Sequence, residues 1–162
     1  RGGGQTFGRP RPPPDSPTLT NQTIREAVSL WMSNKDDAIR IYGHISNWNV
    51  SNVTDMSNLF RGTNFNKPIG NWNVSNVTRM GNMFSGAEAF NQDIRRWNTR
   101  VVTNMDNMFL GASKMIAKYS NAPGFLITPT NAFFNGGGRF PQKKKQTDVI
   151  KQLNETCFFM WY

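Results

Sequence analysis

A stretch of about 25 residues occurs three times in succession, and this repetition constrains the fold more than any other feature. Residues 45–60 read ISNWNVSNVTDMSNLF, and closely similar runs follow at residues 69–84 and 94–109. In each run a tryptophan is followed by methionine after eight residues, phenylalanine after twelve and glycine after fourteen. Self-similarity at this period is typical of architectures in which each repeat buries its apolar edge against its neighbours. We call the segments that begin at residues 45, 69 and 94 the first, second and third repeats.

The bulky residues that recur in every repeat predict a narrow apolar core. Burying one tryptophan side chain is worth about 4 kcal/mol as an upper bound, because the unfolded chain already hides part of its surface. The predicted core comprises one tryptophan, one methionine and one phenylalanine from each repeat: Trp48, Met56, Phe60, Trp72, Met80, Phe84, Trp97, Met105 and Phe109.

Apolar spacing within one repeat predicts a short helix and a short strand. Val77, Met80 and Phe84 are spaced as on one side of a helix, which Gly86 would end in a left-handed conformation. The run at residues 90–94 is typical of a short strand that leads to the next tryptophan. We therefore predict an α/β repeat fold, a short leucine-rich-repeat-like solenoid of about three coils with one strand and one helix per coil.

The repeat motif W-x-V-S-x-V-T-x-M-x-x-M-F-x-G-A-x-x-F-N-x-x-I resembles that of the BspA-like, leucine-rich-repeat-related family of surface proteins. The flanking residues 23–45 and 115–135 resemble the capping segments of that family, so the resemblance covers residues 19–135. It implies a repeat fold and, for most members in bacteria, protists, algae and large DNA viruses, no defined biochemical activity. The chain departs from the family motif with asparagine in place of aspartate after each tryptophan.

Composition divides the chain into five predicted segments. Residues 1–18 form a Pro/Gly-rich extended arm, 19–44 a helical N-terminal cap and 45–115 the three repeats. Residues 116–135 form an irregular C-terminal cap, and 136–162 a basic tail with an apolar C-terminal helix. In the N-terminal cap, Thr20 or Asn21 predicts the start of a helix with one apolar side, and residues 36–42 predict a second short helix or a turn before Gly43.

The residue types present argue against catalysis. The chain has one histidine, His44, and one cysteine, Cys157, and it shows no paired carboxylates, metal-ligand spacing or phosphate-binding glycine motif. We therefore expect no enzyme activity, no metal and no cofactor. No run of residues approaches the ~20 apolar residues that a membrane-spanning helix needs.

A net charge of +9 is spread along the chain and suits acidic or polyanionic partners. Residues 1–17 contribute +2, residues 139–162 contribute +3 and the middle contributes +4. Such a charge fits acidic protein surfaces, polyanionic glycans, anionic lipids or nucleic acid without choosing among them. Basic residues at positions that differ between repeats, together with basic and apolar residues of the tails, are the predicted partner contacts: Arg9, Arg11, Arg79, Arg95, Arg96, Arg100, Lys143, Lys144, Lys145, Phe158, Phe159 and Trp161.

The run FFMWY at residues 158–162 is costly to leave in water. It is expected to pack on the repeats, to bury in a partner or to enter the edge of a membrane. The chain also carries six Asn-x-Ser/Thr motifs for N-glycosylation, at Asn21, Asn49, Asn52, Asn73, Asn76 and Asn154.

These features favour a non-enzymatic repeat protein that serves as a structural or bridging protein–protein interaction subunit of a larger assembly, such as a virion shell or an organellar complex. A cell-surface adhesion module is one alternative. A basic RNA-associated protein is another, although nucleic acid is not the favoured partner.

Overall fold

A computed structural model describes residues 16–134 of the chain. Two α-helices precede the repeats, α1 (Asn21–Ser33) and α2 (Lys35–Tyr42), and a 3-10 helix (Ile45–Asn47) opens the first repeat. Two more follow the repeats, α3 (Ser113–Tyr119) and α4 (Asn131–Phe134). Most of the predicted arm, residues 1–15, and the predicted basic tail lie outside the described residues.

A helix is present where the sequence predicts one after Thr20, and the second segment, predicted as a short helix or a turn, is also a helix. The hydroxyl of Thr20 accepts a hydrogen bond from the backbone N–H of Thr23 at 3.1 Å, and the Thr23 hydroxyl accepts one from the Thr20 N–H at 2.7 Å. This reciprocal pair satisfies two N–H groups that the first turn leaves without partners. Residues on one side of α1, including Trp31, are buried, and α2 ends at Gly43 in the left-handed region, with φ 79°.

The predicted α/β solenoid of strand-plus-helix coils is wrong. Within residues 16–134 no strand is present, and the chain forms no helix between Trp48 and the start of α3. The strand predicted at residues 90–94 and the helix predicted around Met80 are therefore both absent from this part of the chain. Instead, residues 48–112 form a succession of turns. Between neighbouring repeats, residues 48–112 form only isolated parallel β-bridges. These bridges pair Asp55 with Arg79, and Arg79 with Asn104.

Backbone conformation explains why the expected helix does not form. Asn82 and Gly86 both adopt the left-handed region, with φ 56° and 72°, so a right-handed helix cannot pass through them. In a helix the N–H of Phe84 would bond to Met80, but it donates to the carbonyl of Met108 in the third repeat at 3.0 Å. The apolar spacing therefore arises from consecutive turns, not from a helix.

Backbone hydrogen bonds join each repeat to the next at every second residue. Four N–H groups of the first repeat donate to the second at 2.8–2.9 Å, from Met56, Asn58, Phe60 and Gly62 to Arg79, Gly81, Met83 and Ser85. The corresponding N–H groups of Met80, Asn82, Phe84 and Gly86 donate to Asn104, Asp106, Met108 and Leu110 of the third repeat. The same sequence positions therefore lie above one another in all three repeats.

Aromatic side chains stack in columns that run across the repeats. The ring centroids of Trp48 and Trp72 lie 6.3 Å apart, and those of Trp72 and Trp97 lie 6.5 Å apart with nearly parallel planes. The indole N–H of Trp72 donates to the carbonyl of Ile45 at 2.8 Å, and that of Trp97 donates to Ile69 at 2.9 Å. All nine predicted core residues are buried. Trp72 and Trp97 thus both fill the interior and fix their repeats against the preceding one.

The two ends of the stack are covered by different means. At the N-terminal end, the guanidinium of Arg25 on α1 donates to the carbonyl of Ser57 at 2.8 Å. At the C-terminal end, Phe134 stacks on Trp97 with centroids 6.5 Å apart, and Phe109 donates to the carbonyl of Ile127 at 3.0 Å. The C-terminal cover also includes α3, which the sequence pattern did not predict.

Candidate functional site

A groove of about 620 Å³ crosses the three repeats on the side where each one begins. We call it the cross-repeat groove. The groove is lined by residues on either side of the isoleucine that opens each repeat. These three isoleucines, at positions 45, 69 and 94, are themselves buried. The lining residues are His44, Ser46, Asn47, Pro68, Gly70, Asn71, Gln92, Asp93 and Arg96.

Equivalent positions of the three repeats form short columns along this groove. The residue directly before the opening isoleucine is His44 for Ile45, Pro68 for Ile69 and Asp93 for Ile94. The second residue after it is asparagine in the first two repeats and Arg96 in the third. The shape of the groove is therefore set by the fold, while its chemistry changes from repeat to repeat.

Gly70 allows the chain next to Ile69 to lie close to the backbone of Asp93 in the groove. A Cβ atom added to Gly70 would lie 2.6 Å from the backbone carbonyl oxygen of Asp93, which is closer than packed atoms tolerate. The φ angle of Gly70 is not in the left-handed region. Glycine is therefore needed at this position for space and not for an unusual backbone conformation. A larger residue at this position would push the wall formed by Asp93 away from the groove.

The residues on either side of Ile45 supply an imidazole and a hydroxyl. The Nδ1 atom of His44 accepts a hydrogen bond from the backbone N–H of Ser46 at 3.1 Å, which orients the ring. The ring also lies edge-on to Trp31, with centroids 5.1 Å apart. The Oγ atom of Ser46 is buried and has no hydrogen-bond partner among the described residues. The hydrogen bond from Ser46 and the contact with Trp31 together hold the His44 ring at this polar end of the groove.

The residues on either side of Ile94 form an ion pair beside a tyrosine. Arg95 binds both carboxylate oxygens of Asp93, at 3.0 and 2.9 Å, and its guanidinium lies 5.2 Å from the centre of the Tyr119 ring. The hydrogen bonds from Arg95 hold the pKa of the Asp93 carboxyl below its ordinary value. Burial raises the pKa of Tyr119 to about 12, and the negative charge of Asp93 adds to this effect. Arg95 is thus committed to a structural pair at the edge of the groove.

Among the predicted partner contacts that fall within residues 16–134, Arg96 alone lines the groove. Arg95 is adjacent to it but paired with Asp93, and Arg79 and Arg100 are exposed outside its lining. Arg79 lies in a separate column, between Asp55 and Asn104. The groove therefore includes one of these four arginines. Residues predicted on the tails lie outside the described part of the chain: Arg9, Arg11, Lys143, Lys144, Lys145, Phe158, Phe159 and Trp161.

The column that contains Arg79 is an electrostatic feature of its own. Partial burial opposes ionisation of Asp55, but hydrogen bonds from Ser57 and the charges of Arg25 and Arg79 outweigh it and lower the pKa of the carboxyl. Asp55 and Arg25 lie 3.7 Å apart on an exposed surface. The pair joins α1 to the first repeat and contributes little net stability, because water screens it.

Sequence comparison could have identified the groove by asking a different question of the repeats. The prediction selected basic residues at variable positions. When Ile45, Ile69 and Ile94 are aligned, the residues directly before and after them differ in chemical type from repeat to repeat. Asn47, Asn71 and Asp93 were missed because each looks like an ordinary turn residue when taken alone.

Several glycosylation motifs carry structural hydrogen bonds. The Asn21 side chain bonds both to the backbone N–H and to the hydroxyl of Thr54, at 2.8 and 2.9 Å. The side-chain nitrogen of Asn76 donates to the carbonyl of Ser51 at 2.8 Å, and that of Asn49 donates to Thr18 at 3.2 Å. A glycan on these nitrogens would disturb such bonds. Asn52 is exposed and makes no side-chain hydrogen bond within the described residues.

The described residues, 16–134, contain neither a metal-binding cluster nor a membrane-spanning helix. No cluster of three or more His, Cys, Asp or Glu side chains is arranged to hold a metal ion there. No helix in the same range has the length and apolar character required to span a membrane.

A family model matches most of the chain. The model is described as "Mycoplasma protein of unknown function, DUF285", and it matches residues 30–148, which are 119 of the 162 residues. This match is consistent with the resemblance to the BspA-like family that the repeat motif indicates. Comparison with curated proteins gives no match, and comparison with solved structures gives none either. The chain belongs to the family described as Mycoplasma protein of unknown function, DUF285.

Proposed function

We propose that this protein is a non-enzymatic structural or bridging subunit of a larger assembly, such as a virion shell or an organellar complex. In this proposal the stacked repeats are a rigid block, and the cross-repeat groove contacts a partner protein. The contrast between the buried and the groove positions carries the proposal. Isoleucine and tryptophan recur at the core of every repeat, whereas the groove column beside them reads His44, Pro68 and Asp93.

The chemistry of the groove suits a polypeptide partner. Asn47 and Asn71 are exposed and carry amides, each of which can donate to and accept from a peptide backbone. Arg96 adds an exposed cation that suits a carboxylate on the partner. Basic residues of the tails, Arg9, Arg11 and Lys143–Lys145, would contact acidic surfaces of neighbouring subunits and add affinity through linked binding.

A cell-surface adhesion module is the second candidate, and it rests on the finer resemblance to BspA-like surface proteins. One structural observation favours it, because Asn52 lies in a glycosylation motif and its side chain is exposed without a hydrogen bond in the described part of the chain. Mass spectrometry of protein taken from its source checks this candidate. A glycan on Asn52 would support it, and an unmodified Asn52 would remove this argument.

Nucleic acid is the least supported partner. Proteins that bind a phosphate backbone line up several cations along one surface. Here Arg95 is paired with Asp93, and Arg79 and Arg100 lie outside the groove that Arg96 lines. Binding to RNA that weakens steeply as salt rises would argue against the protein-partner proposal.

Co-purification from the source at low ionic strength tests the proposed function. We expect the tagged wild-type chain to retain partner proteins in fixed stoichiometry, and Asn71→Trp to lose them because the indole fills the groove. Asn64→Trp is the matched control, since Asn64 is exposed and does not line the groove. A wild-type chain that elutes alone as a monomer contradicts the proposal, as does equal loss of partners by the two variants.

A further inference from the structure

Three large apolar side chains are exposed together at the C-terminal end of the stack. The exposed fractions are 49% for Leu110, 57% for Leu126 and 38% for Ile127. The backbone hydrogen bond from Phe109 to the carbonyl of Ile127 holds residues 126–127 beside Leu110. We call Leu110, Leu126 and Ile127 the end face. The position of Leu110 is polar in the earlier repeats, where Arg61 and Ser85 stand.

An unused backbone donor adjoins the end face. The N–H of Gly62 donates to Ser85, and the N–H of Gly86 donates to Leu110 at 2.7 Å, so each repeat is bonded to the next at this position. The equivalent N–H of Gly111 has no partner among the described residues. An open backbone edge beside exposed apolar side chains is a ready site for a further extended segment.

We propose that the end face is the docking site of residues 158–161 of the same chain. These residues are Phe158, Phe159, Met160 and Trp161, which match the apolar chemistry of the face, and their carbonyl groups can accept from Gly111. The inference does not depend on the proposed function. The sequence allows three interpretations of this apolar run: packing on the repeats, burial in a partner or insertion at the edge of a membrane. The inference selects the first.

The path of the chain supports this occupant. Phe134, the last described residue, stacks on Trp97 in the third repeat, so the chain leaves the described part at the same end as the end face. The intervening residues 135–157 number 23 and include three consecutive glycines. Even fully extended, 23 residues span at most about 80 Å, and this reach is ample for a face at the same end of the stack.

Tethering favours the chain's own segment over a free competitor. A segment that is covalently joined to its site binds with an effective concentration that can reach the millimolar range. A second molecule carrying the same apolar residues would therefore need a much higher affinity to displace it. Docking would also cover side chains that otherwise cost free energy in water.

The single cysteine provides a direct test in the full-length protein. Cys157 is adjacent to Phe158 and is the only cysteine of the chain, so a benzophenone maleimide attaches beside the docking segment. After irradiation and proteolysis, mass spectrometry identifies the residues that the probe has reached. We expect crosslinks within one chain to residues 110–111 and 126–127.

Paired serine substitutions distinguish docking from random contact. Leu126→Ser is expected to lower the yield of these crosslinks several-fold, whereas Ile41→Ser, at a comparably exposed residue of α2, should leave it unchanged. Because both side chains are exposed, neither substitution threatens the fold, and circular dichroism verifies this. Crosslinks between two chains, crosslinks elsewhere on the surface, an absence of crosslinks or equal yields from the two variants would each overturn the proposal.

Discussion

Trp72 occupies the centre of the tryptophan column and contacts both neighbouring repeats. Its ring stacks between Trp48 and Trp97, and its indole N–H donates to the carbonyl of Ile45. A residue that combines apolar area with one directed hydrogen bond fixes the register of its repeat as well as its burial. The sequence repeat alone predicted this residue as core, but it gave no indication of the hydrogen-bond acceptor.

We predict that Trp72→Phe lowers the free energy of unfolding by about 2 kcal/mol, because it removes one hydrogen bond and part of a filled core. Ile45 keeps one backbone donor, Trp48, so the loss is smaller than for a carbonyl left without any partner. Urea denaturation followed by circular dichroism measures the change. An unaltered free energy of unfolding would show that the column does not support the fold.

Tyr119 makes stability sensitive to high pH. Its pKa is about 12 in the folded chain, against an ordinary value of about 10, so the unfolded state releases its proton first. Its contribution is therefore complete below pH ~10 and is lost as pH rises from ~10 towards ~12. We predict that Tyr119→Phe flattens this decline. Urea midpoints of both proteins across that window provide the measurement, and parallel curves would contradict the assignment.

At the scale of the element, left-handed residues decide between turn and helix. Asn58, Asn82 and Asn107 all have φ between 54° and 62°, and a left-handed glycine follows four residues after each. The glycines were recognised in the sequence as ends of helices. The asparagines were not recognised as left-handed, because asparagine tolerates this conformation without requiring it.

A pair of substitutions at Asn82 tests this explanation. Asn82→Ala should destabilise the protein by about 1 to 2 kcal/mol, since alanine keeps the Cβ atom that crowds the backbone in the left-handed region but lacks the short polar side chain that lets asparagine tolerate it. Asn82→Gly should be nearly neutral, because glycine adopts this conformation freely and no hydrogen bond of the Asn82 side chain is lost. Equal effects of alanine and glycine on the urea midpoint would contradict a left-handed Asn82.

Predictions for the elements outside the repeats succeeded where local signals were strong. Thr20 precedes a long apolar periodicity, and α1 and α2 lie where the sequence indicates. The short helix α3 was missed because Ala112 at its start provides no side-chain cap and the sequence signal is correspondingly weak. Its position is fixed instead by the burial of Met115 and Tyr119.

At the scale of the molecule, the repeat period predicted which residues lie above one another but not the secondary structure of each repeat. Hydrogen bonds between residues 23 or 24 positions apart, such as Met56 to Arg79, leave no local pattern in the sequence. The cross-repeat groove was likewise invisible, because it forms only when His44, Pro68 and Asp93 are stacked. Local propensity is therefore a poor guide to a fold in which many backbone hydrogen bonds join residues of different repeats.

The register of these bonds is the claim on which the core, the groove and the end face depend. Scalar couplings across hydrogen bonds, measured by NMR on uniformly labelled protein, report donor and acceptor pairs directly. We predict couplings from the nitrogen of Phe60 to the carbonyl carbon of Met83 and from Phe84 to Met108. Couplings from these nitrogens to carbonyl groups of their own repeat, four residues earlier, would contradict the stacked turns and restore a helix in each repeat.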